Sequence, residues 1–273
     1  QAVKSVSVPT QSILFNIDIE GPLTKDKTAV LRVFAKMFYN HCGFYGDDLK
    51  IAKLERFIEK QGKTQQFREA FEKVNGAPWT ETRDSFAFFE DDIVSVLQST
   101  LGMSEQAARN WFNGEETNEL SIAQLVADIQ EYVDGKGKDF RLLFMVDEVG
   151  QYIGDDGDLM INLQSLVEEI GIRCHGKVWV MVTSQEAIDS VVHITGNDFS
   201  KIQGRFNTRL SHSSSSVDEV IKKRVLAKTD AADQLLRMVY DKEHAVLKNL
   251  YTFNNPVLDI KGFTDGAEFS ATF

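Results

Sequence analysis

The sequence predicts an α/β fold built on a parallel sheet, and three observations support this prediction. Two short runs, RLLFMVDEV at 141–149 and GKVWVMVTSQ at 176–185, are apolar almost throughout, as in strands that helices cover on both faces. A helical pattern lies between them, and a third apolar run, SILFNID at 12–18, predicts another strand. Strands that alternate with helices are typical of a parallel sheet with crossover helices.

A long helical block separates the first predicted strand from the second. Apolar residues at i, i+3, i+4 and i+7 spacing predict its first helix over about 28–44, and charged amphipathic segments continue to about 135. The block 28–135 is far longer than a simple crossover, so we expect a helical insertion or a subdomain that packs beside the sheet. After the last predicted strand, a long helix is expected over about 231–250.

The composition excludes several classes of protein. With 42% hydrophobic and 26% charged residues, the 273-residue chain is neither disordered nor fibrous. No stretch approaches the ~18 consecutive apolar residues of a membrane-spanning helix. Cys42 and Cys174 lie in no paired motif, which argues against a disulfide framework or a Cys-rich zinc site and favours the cytoplasm. The net charge of −11 argues against a protein that coats nucleic acid through its overall field.

The strongest chemical signal is the run LLFMVDE, in which a predicted buried strand ends in Asp147 and Glu148. Ligands of an open α/β sheet bind beyond the carboxyl ends of its strands, so Asp147 is placed to hold Mg²⁺. Glu148, one residue on, is placed to orient and polarise an attacking water. This is the pattern of the Walker B strand of P-loop ATPases, although many buried strands also end in an acid.

The next predicted strand ends in Thr183 and Ser184, with Gln185 beside them. In AAA+ ATPases the strand after Walker B ends in a polar residue, sensor 1, near the γ-phosphate. A hydroxyl or amide at that position can bind the attacking water or a phosphate oxygen. The alternative is that these residues only cap the helix that follows.

The segment GRFNTRL contains Arg205 and Arg209 at the distance where AAA+ chains often carry an arginine finger. Such an arginine reaches into the nucleotide site of a neighbouring subunit. There its planar guanidinium binds the phosphate group on which negative charge develops in the transition state. Two surface arginines are the alternative. The helical residues that follow resemble the small lid domain of AAA+ proteins.

A phosphate-binding GxxxxGK[ST] motif does not occur in these 273 residues. The Gly-Lys-Thr at 62–64 interrupts a charged helix and follows no apolar strand, so we reject it. We therefore expect an internal fragment of a P-loop ATPase, whose first strand and phosphate loop precede residue 1. In this interpretation residues 1–200 form the rest of the core, and 201–273 form the arginine-finger segment and a helical lid.

Several segments resemble the large P-loop ATPase of BREX phage-exclusion systems, the BrxC and PglY family. They are DEVGQYIGDDGDLMINLQSLVEEIGIRCHGKVWVMVTSQEAIDSV, TAVLRVFAKMFYNHCGFYGD, KIQGRFNTRLSHSSSSVDEVIKKRVL and DIKGFTDGAEF, which are distributed between residues 28 and 269, so the resemblance extends over nearly the whole chain. The resemblance implies a cytoplasmic AAA+-like ATPase that uses ATP and Mg²⁺ to assemble or remodel an anti-phage complex on DNA. It also implies a DNA methyltransferase and a phosphatase-like protein as partners, and a homo-oligomer.

Two other functions stay open at this point. A degenerate P-loop scaffold or nucleotide-sensing module is favoured if the chain before residue 1 lacks a phosphate-loop lysine. A DNA-loading module like that of replication initiators is favoured if the basic segment 217–228 lines a channel. For residues 1–273 alone, we expect weak ATP binding and negligible hydrolysis, since the backbone N–H groups and the lysine of a phosphate loop, which bind the β- and γ-phosphates, are missing from them.

Overall fold

The structure is a computed structural model that describes residues 8–22, 24–113, 120–184, 208, 221, 226–254 and 263–272. The chain divides into two compact units, Gln1–Asn207 and Thr208–Phe273. Within the described ranges, no helix combines the length and the apolar character that crossing a membrane requires.

The first unit contains a sheet of three parallel strands, which confirms the predicted α/β architecture. The strands are β1 (Thr10–Asn16), β2 (Arg141–Asp147) and β3 (Val178–Val182), in that spatial order. Asn16 pairs with Asp147, and Val146 pairs with Val182, so the strands end close to one another.

Most of the remaining described residues of this unit are helical. In chain order the helices are α1 (Ile17–Glu20), α2 (Ala29–His41), α3 (Leu49–Lys60), α4 (Thr64–Asn75), α5 (Trp79–Thr82), a 3-10 helix (Arg83–Phe88), α6 (Glu90–Leu101), α7 (Glu105–Asn113), α8 (Ile122–Gly135), α9 (Val149–Ile153) and α10 (Gly157–Arg173). Asp48, Ser121 and Asp156 begin three of these helices, because their side chains accept bonds from backbone N–H groups of the first turn.

Helices α2, α8 and α10 cover one face of the sheet. Side chains from alternate strand positions, such as Phe15, Phe144 and Val146, share one core with these helices. Phe34 of α2 is central to it, because its ring centroid lies 5.5 Å from that of Phe15 and 5.3 Å from that of Phe144.

The opposite side of the sheet, here called the open face, is uncovered within the described part of the chain. It consists of Leu14, Leu143, Met145, Trp179 and Met181, of which Leu14 is 68%, Trp179 61% and Met181 49% exposed. Within the described residues, the expectation that helices cover the strands on both faces is therefore confirmed for one face only. Both connections run in the same direction across the sheet, and right-handed crossovers then place their helices on one side.

The helical block 28–135 has two parts in the structure. Its first and last helices, α2 and α8, pack on the sheet, whereas α3 to α7 surround a second core that contains Phe67, Phe71 and Trp79. A buried network joins the parts, because Asp128 of α8 accepts a 2.8 Å hydrogen bond from the Tyr39 hydroxyl and pairs with Arg56.

The second unit contains α11 (Asp230–Asn254) and α12 (Gly266–Thr272) among its described residues. The two helices pack through stacked rings of Tyr240 and Phe269, whose centroids are 4.2 Å apart. Helix α11 agrees with the long helix expected over about 231–250.

Candidate functional site

The candidate site lies at the carboxyl edge of the sheet, where Asn16 ends β1, Asp147 ends β2, and Thr183 and Ser184 follow β3. The sequence predicted that Asp147 and the two hydroxyl residues would meet at one edge, and the described strands confirm this. This edge is where open α/β sheets bind their ligands.

Thr183 connects the end of β3 to the turn that follows β2. Its hydroxyl donates a hydrogen bond to Oδ1 of Asp147 and accepts one from the Glu148 backbone N–H at 3.2 Å. Its carbonyl oxygen accepts a bond from the Val149 N–H at 3.0 Å. Side chain and backbone of Thr183 therefore hold both acidic residues in place.

Glu148 has a left-handed backbone conformation, with φ of 62° and ψ of 27°. A residue other than glycine is strained there and persists only when its surroundings hold it, as the bonds that the Glu148 and Val149 N–H groups donate to Thr183 do. The turn brings the Glu148 side chain toward β1, where Nδ2 of Asn16 donates a 2.6 Å hydrogen bond to its Oε2.

Asn16 is a site residue that the sequence did not indicate. The run SILFNID predicts a strand that extends through Asp18, whereas β1 ends at Asn16. Oδ1 of Asn16 accepts bonds from the N–H groups of Asp18 and Ile19, at 2.9 and 3.2 Å, and so begins α1. One amide therefore caps α1 and binds Glu148. An asparagine before a possible helix start was the available signal.

Ser184 lies at the same edge, but its hydroxyl is directed elsewhere. The Oγ atom is buried and has no hydrogen-bond partner among the described residues. It packs against Gly150, because a Cβ atom added there would lie 2.0 Å from it. Thr183, and not Ser184, therefore contacts the two acids. The predicted site residues Gln185, Arg205 and Arg209 lie outside the described residues.

The residues present fit a hydrated Mg²⁺ rather than a metal held by protein ligands alone. Asp147 is exposed, and both of its hydrogen bonds from the described residues fall on Oδ1. Over those same ranges, no three His, Cys, Asp or Glu side chains are arranged to hold a metal ion. Mg²⁺ commonly binds one or two carboxylates together with waters and substrate phosphates, which is what Asp147 can offer.

No protein-family model matches the chain, and no solved structure is significantly similar to it. The chemistry of the edge is therefore inferred from its own geometry.

Proposed function

We propose that this chain carries the hydrolytic edge of an AAA+-like P-loop ATPase that acts on ATP with Mg²⁺. The observation that carries the proposal is the arrangement of Asp147, Glu148 and Thr183 at the ends of adjacent parallel strands. Two neighbouring acids with distinct hydrogen-bond partners suit two roles, because one can hold a cation while the other activates water.

Each residue has a defined role in this proposal. Bound ATP would supply the phosphoanhydride bond that is cleaved, and its Mg²⁺ would supply positive charge that offsets the negative charge of the phosphate oxygens. Asp147 holds the hydrated cation, and Thr183 fixes the orientation of that carboxylate through Oδ1. Glu148 orients a water and accepts its proton, while Asn16 fixes the Glu148 carboxylate through Oε2.

The open face, which the described residues leave uncovered, supports a P-loop core in which a further strand lies beyond β3. A crossover helix on the open face would belong to a connection that runs across the sheet in the direction opposite to β1–β2–β3. If such a connection leads into β1, the strand from which it starts lies beside β3, on the side away from β2. That position would bring a phosphate-binding loop to the edge that holds Thr183 and Asp147.

The assignment to a BREX defence ATPase is part of the proposal and rests on the sequence resemblance, whose longest segment is residues 147–191. It includes the division into an ATPase core with a helical insertion and a lid from residue 201, with Arg205 and Arg209 acting in a neighbouring subunit of a homo-oligomer. It also includes a cytoplasmic location, and the methyltransferase, phosphatase-like protein and DNA as partners.

The test compares Glu148→Gln with Asp147→Ala in the natural full-length protein. Glu148→Gln should still bind nucleotide, while turnover falls about 10²-fold or more because the carboxylate that accepts the proton is lost. Asp147→Ala should weaken Mg²⁺-nucleotide binding itself. Steady-state ATPase rates and a binding titration measure the two effects, and Glu72→Gln, on the exposed side of α4, is the matched control.

Normal turnover in Glu148→Gln would contradict the catalytic assignment. A wild-type protein that binds Mg²⁺-ATP without hydrolysing it would favour the nucleotide-sensing scaffold instead. A wild-type protein that binds no nucleotide would reject both.

A further inference from the structure

Two short helices begin directly after the residues whose side chains meet at the site. Helix α1 follows Asn16, α9 follows Glu148, and the two helices pack against each other. Because each helix starts at one partner of the 2.6 Å hydrogen bond, their relative position contributes, together with the pairing of β1 and β2, to the distance between Asn16 Nδ2 and Glu148 Oε2.

Lys25 contacts both of these helices with one ammonium group. Its Nζ donates a 2.8 Å hydrogen bond to the Tyr152 carbonyl in α9 and lies 4.0 Å from the centroid of the Tyr152 ring. The same Nζ lies 3.8 Å from Oδ1 of Asp18 in α1. A half-exposed ion pair alone contributes little, but the hydrogen bond and a cation–π contact with a buried ring add to it.

The backbone at Gly21, which ends α1, contacts the same ring at its edge. A Cβ atom at this position would lie 2.7 Å from Cε2 and 2.8 Å from the hydroxyl oxygen of Tyr152. Tyr152 is only 2% exposed, and α1 and Lys25 contribute to its burial together with the core of the first unit. Tyr152 is thus the part of α9 through which α1 and its following loop fix the position of α9.

We propose that Lys25 and Tyr152 form a clamp that positions Glu148 against Asn16, which makes Lys25 a positioning residue of the proposed ATPase. The expected effect of the clamp on turnover rests on the proposed function. Its expected effect on the hydrogen bond between Asn16 and Glu148 does not. The clamp has no contact with the reacting groups in the described residues. It acts by keeping α9, and therefore the turn at Glu148, at a fixed distance from β1.

A spectroscopic test uses the 273-residue chain with ¹⁵N-labelled asparagine side chains. Lys25→Met removes the charge and keeps the length of the side chain, so the Asn16 side-chain amide signal should move toward its position in Glu148→Ala. Lys25→Arg, which retains a cation and a donor, should return the signal close to the wild-type position. Lys27→Met, an exposed lysine of the same loop, should leave it unmoved.

A kinetic test uses the natural full-length protein. Lys25→Met should lower kcat about 10-fold, because a small displacement of the water-activating group is costly. KM for ATP should stay nearly constant, since the proposal gives Lys25 no contact with the nucleotide. In an Asn16→Ala background the Lys25→Met change should cause no further loss, because both act on the same carboxylate.

An Asn16 signal that stays in place in Lys25→Met, or that moves equally in Lys27→Met, would overturn the clamp. Absence of turnover in the wild type would reject the proposed ATPase, and the spectroscopic result would still decide on the clamp.

Discussion

Ser184 and Thr183 are adjacent hydroxyl residues with different surroundings. The sequence predicts that either can act as the sensor, because both follow the same apolar run. In the structure Thr183 binds Asp147 and the Glu148 backbone, whereas Ser184 packs against Gly150. Successive side chains of an extended segment point in opposite directions, so the choice depends on where β3 ends. A uniform apolar run does not define that position.

Ser184→Ala should therefore leave turnover unchanged and keep or slightly raise stability, by up to about 1 kcal/mol, since it removes a buried hydroxyl for which the described part of the chain offers no partner. Thr183→Val should lower turnover. Gly150→Ala should lower the midpoint of urea unfolding, because its Cβ would lie 2.0 Å from Ser184 Oγ. Loss of turnover in a stable Ser184→Ala protein would return the sensor role to Ser184.

Tyr152 and Tyr39 form a matched pair of buried tyrosines for a test of stability. The Tyr152 hydroxyl has no partner among the described residues, whereas that of Tyr39 donates to Asp128 at 2.8 Å. Tyr152→Phe should leave the unfolding free energy unchanged or raise it by about 1 kcal/mol, and Tyr39→Phe should lower it by about 1–2 kcal/mol. Chemical denaturation measures both, and a clear loss in Tyr152→Phe would reveal a partner for its hydroxyl.

At the scale of elements, the strands and most helices follow from local patterns in the sequence. The run at 141–149 contains β2, and that at 176–185 contains β3, because continuous apolar character is a local property. The end of β1 was missed, since it depends on the bonds that Asn16 makes to the next turn. The open face was missed for a different reason. Apolar side chains indicate that a surface can be buried, but they do not say by what.

The contact between α3 and α8 should respond to acid. Glu131 of α8 binds Lys60 and Arg56 of α3, and the hydrogen bond from Lys60 holds the pKa of Glu131 below its usual value of 4.5. A lowered folded-state pKa contributes stability that is complete above the unfolded value and is lost as pH falls through the folded one.

Unfolding free energy measured between pH 7 and pH 3 should therefore decrease less steeply below pH 4.5 in Glu131→Gln than in the wild type. Glu72→Gln, an exposed change on α4, should keep the wild-type slope. Identical acid slopes in all three proteins would show that the ion pairs of Glu131 contribute nothing measurable, as is the case for many surface pairs.

At the scale of the whole molecule, the open face and the proposed phosphate loop lead to one expectation. If a strand beyond β3 and its helix complete the core, the apolar residues of the open face lose their exposure in the natural full-length protein. Trp179 reports on this surface, because it is 61% exposed and stands on β3 beside the expected strand. The same strand and helix would carry the phosphate-binding loop between them. Burial of Trp179 and tight nucleotide binding should therefore occur together.

Trp179 emission, obtained as the difference between wild type and Trp179→Phe, should be red-shifted and readily quenched by acrylamide in residues 1–273. In the full-length protein it should be blue-shifted and protected. Calorimetry should detect only weak Mg²⁺-ATP binding to residues 1–273, because the backbone amides and lysine of a phosphate loop supply most of the affinity for the β- and γ-phosphates. Micromolar affinity in residues 1–273 would place a phosphate cradle within this chain, and a Trp179 that stays exposed in the full-length protein would reject the strand beyond β3.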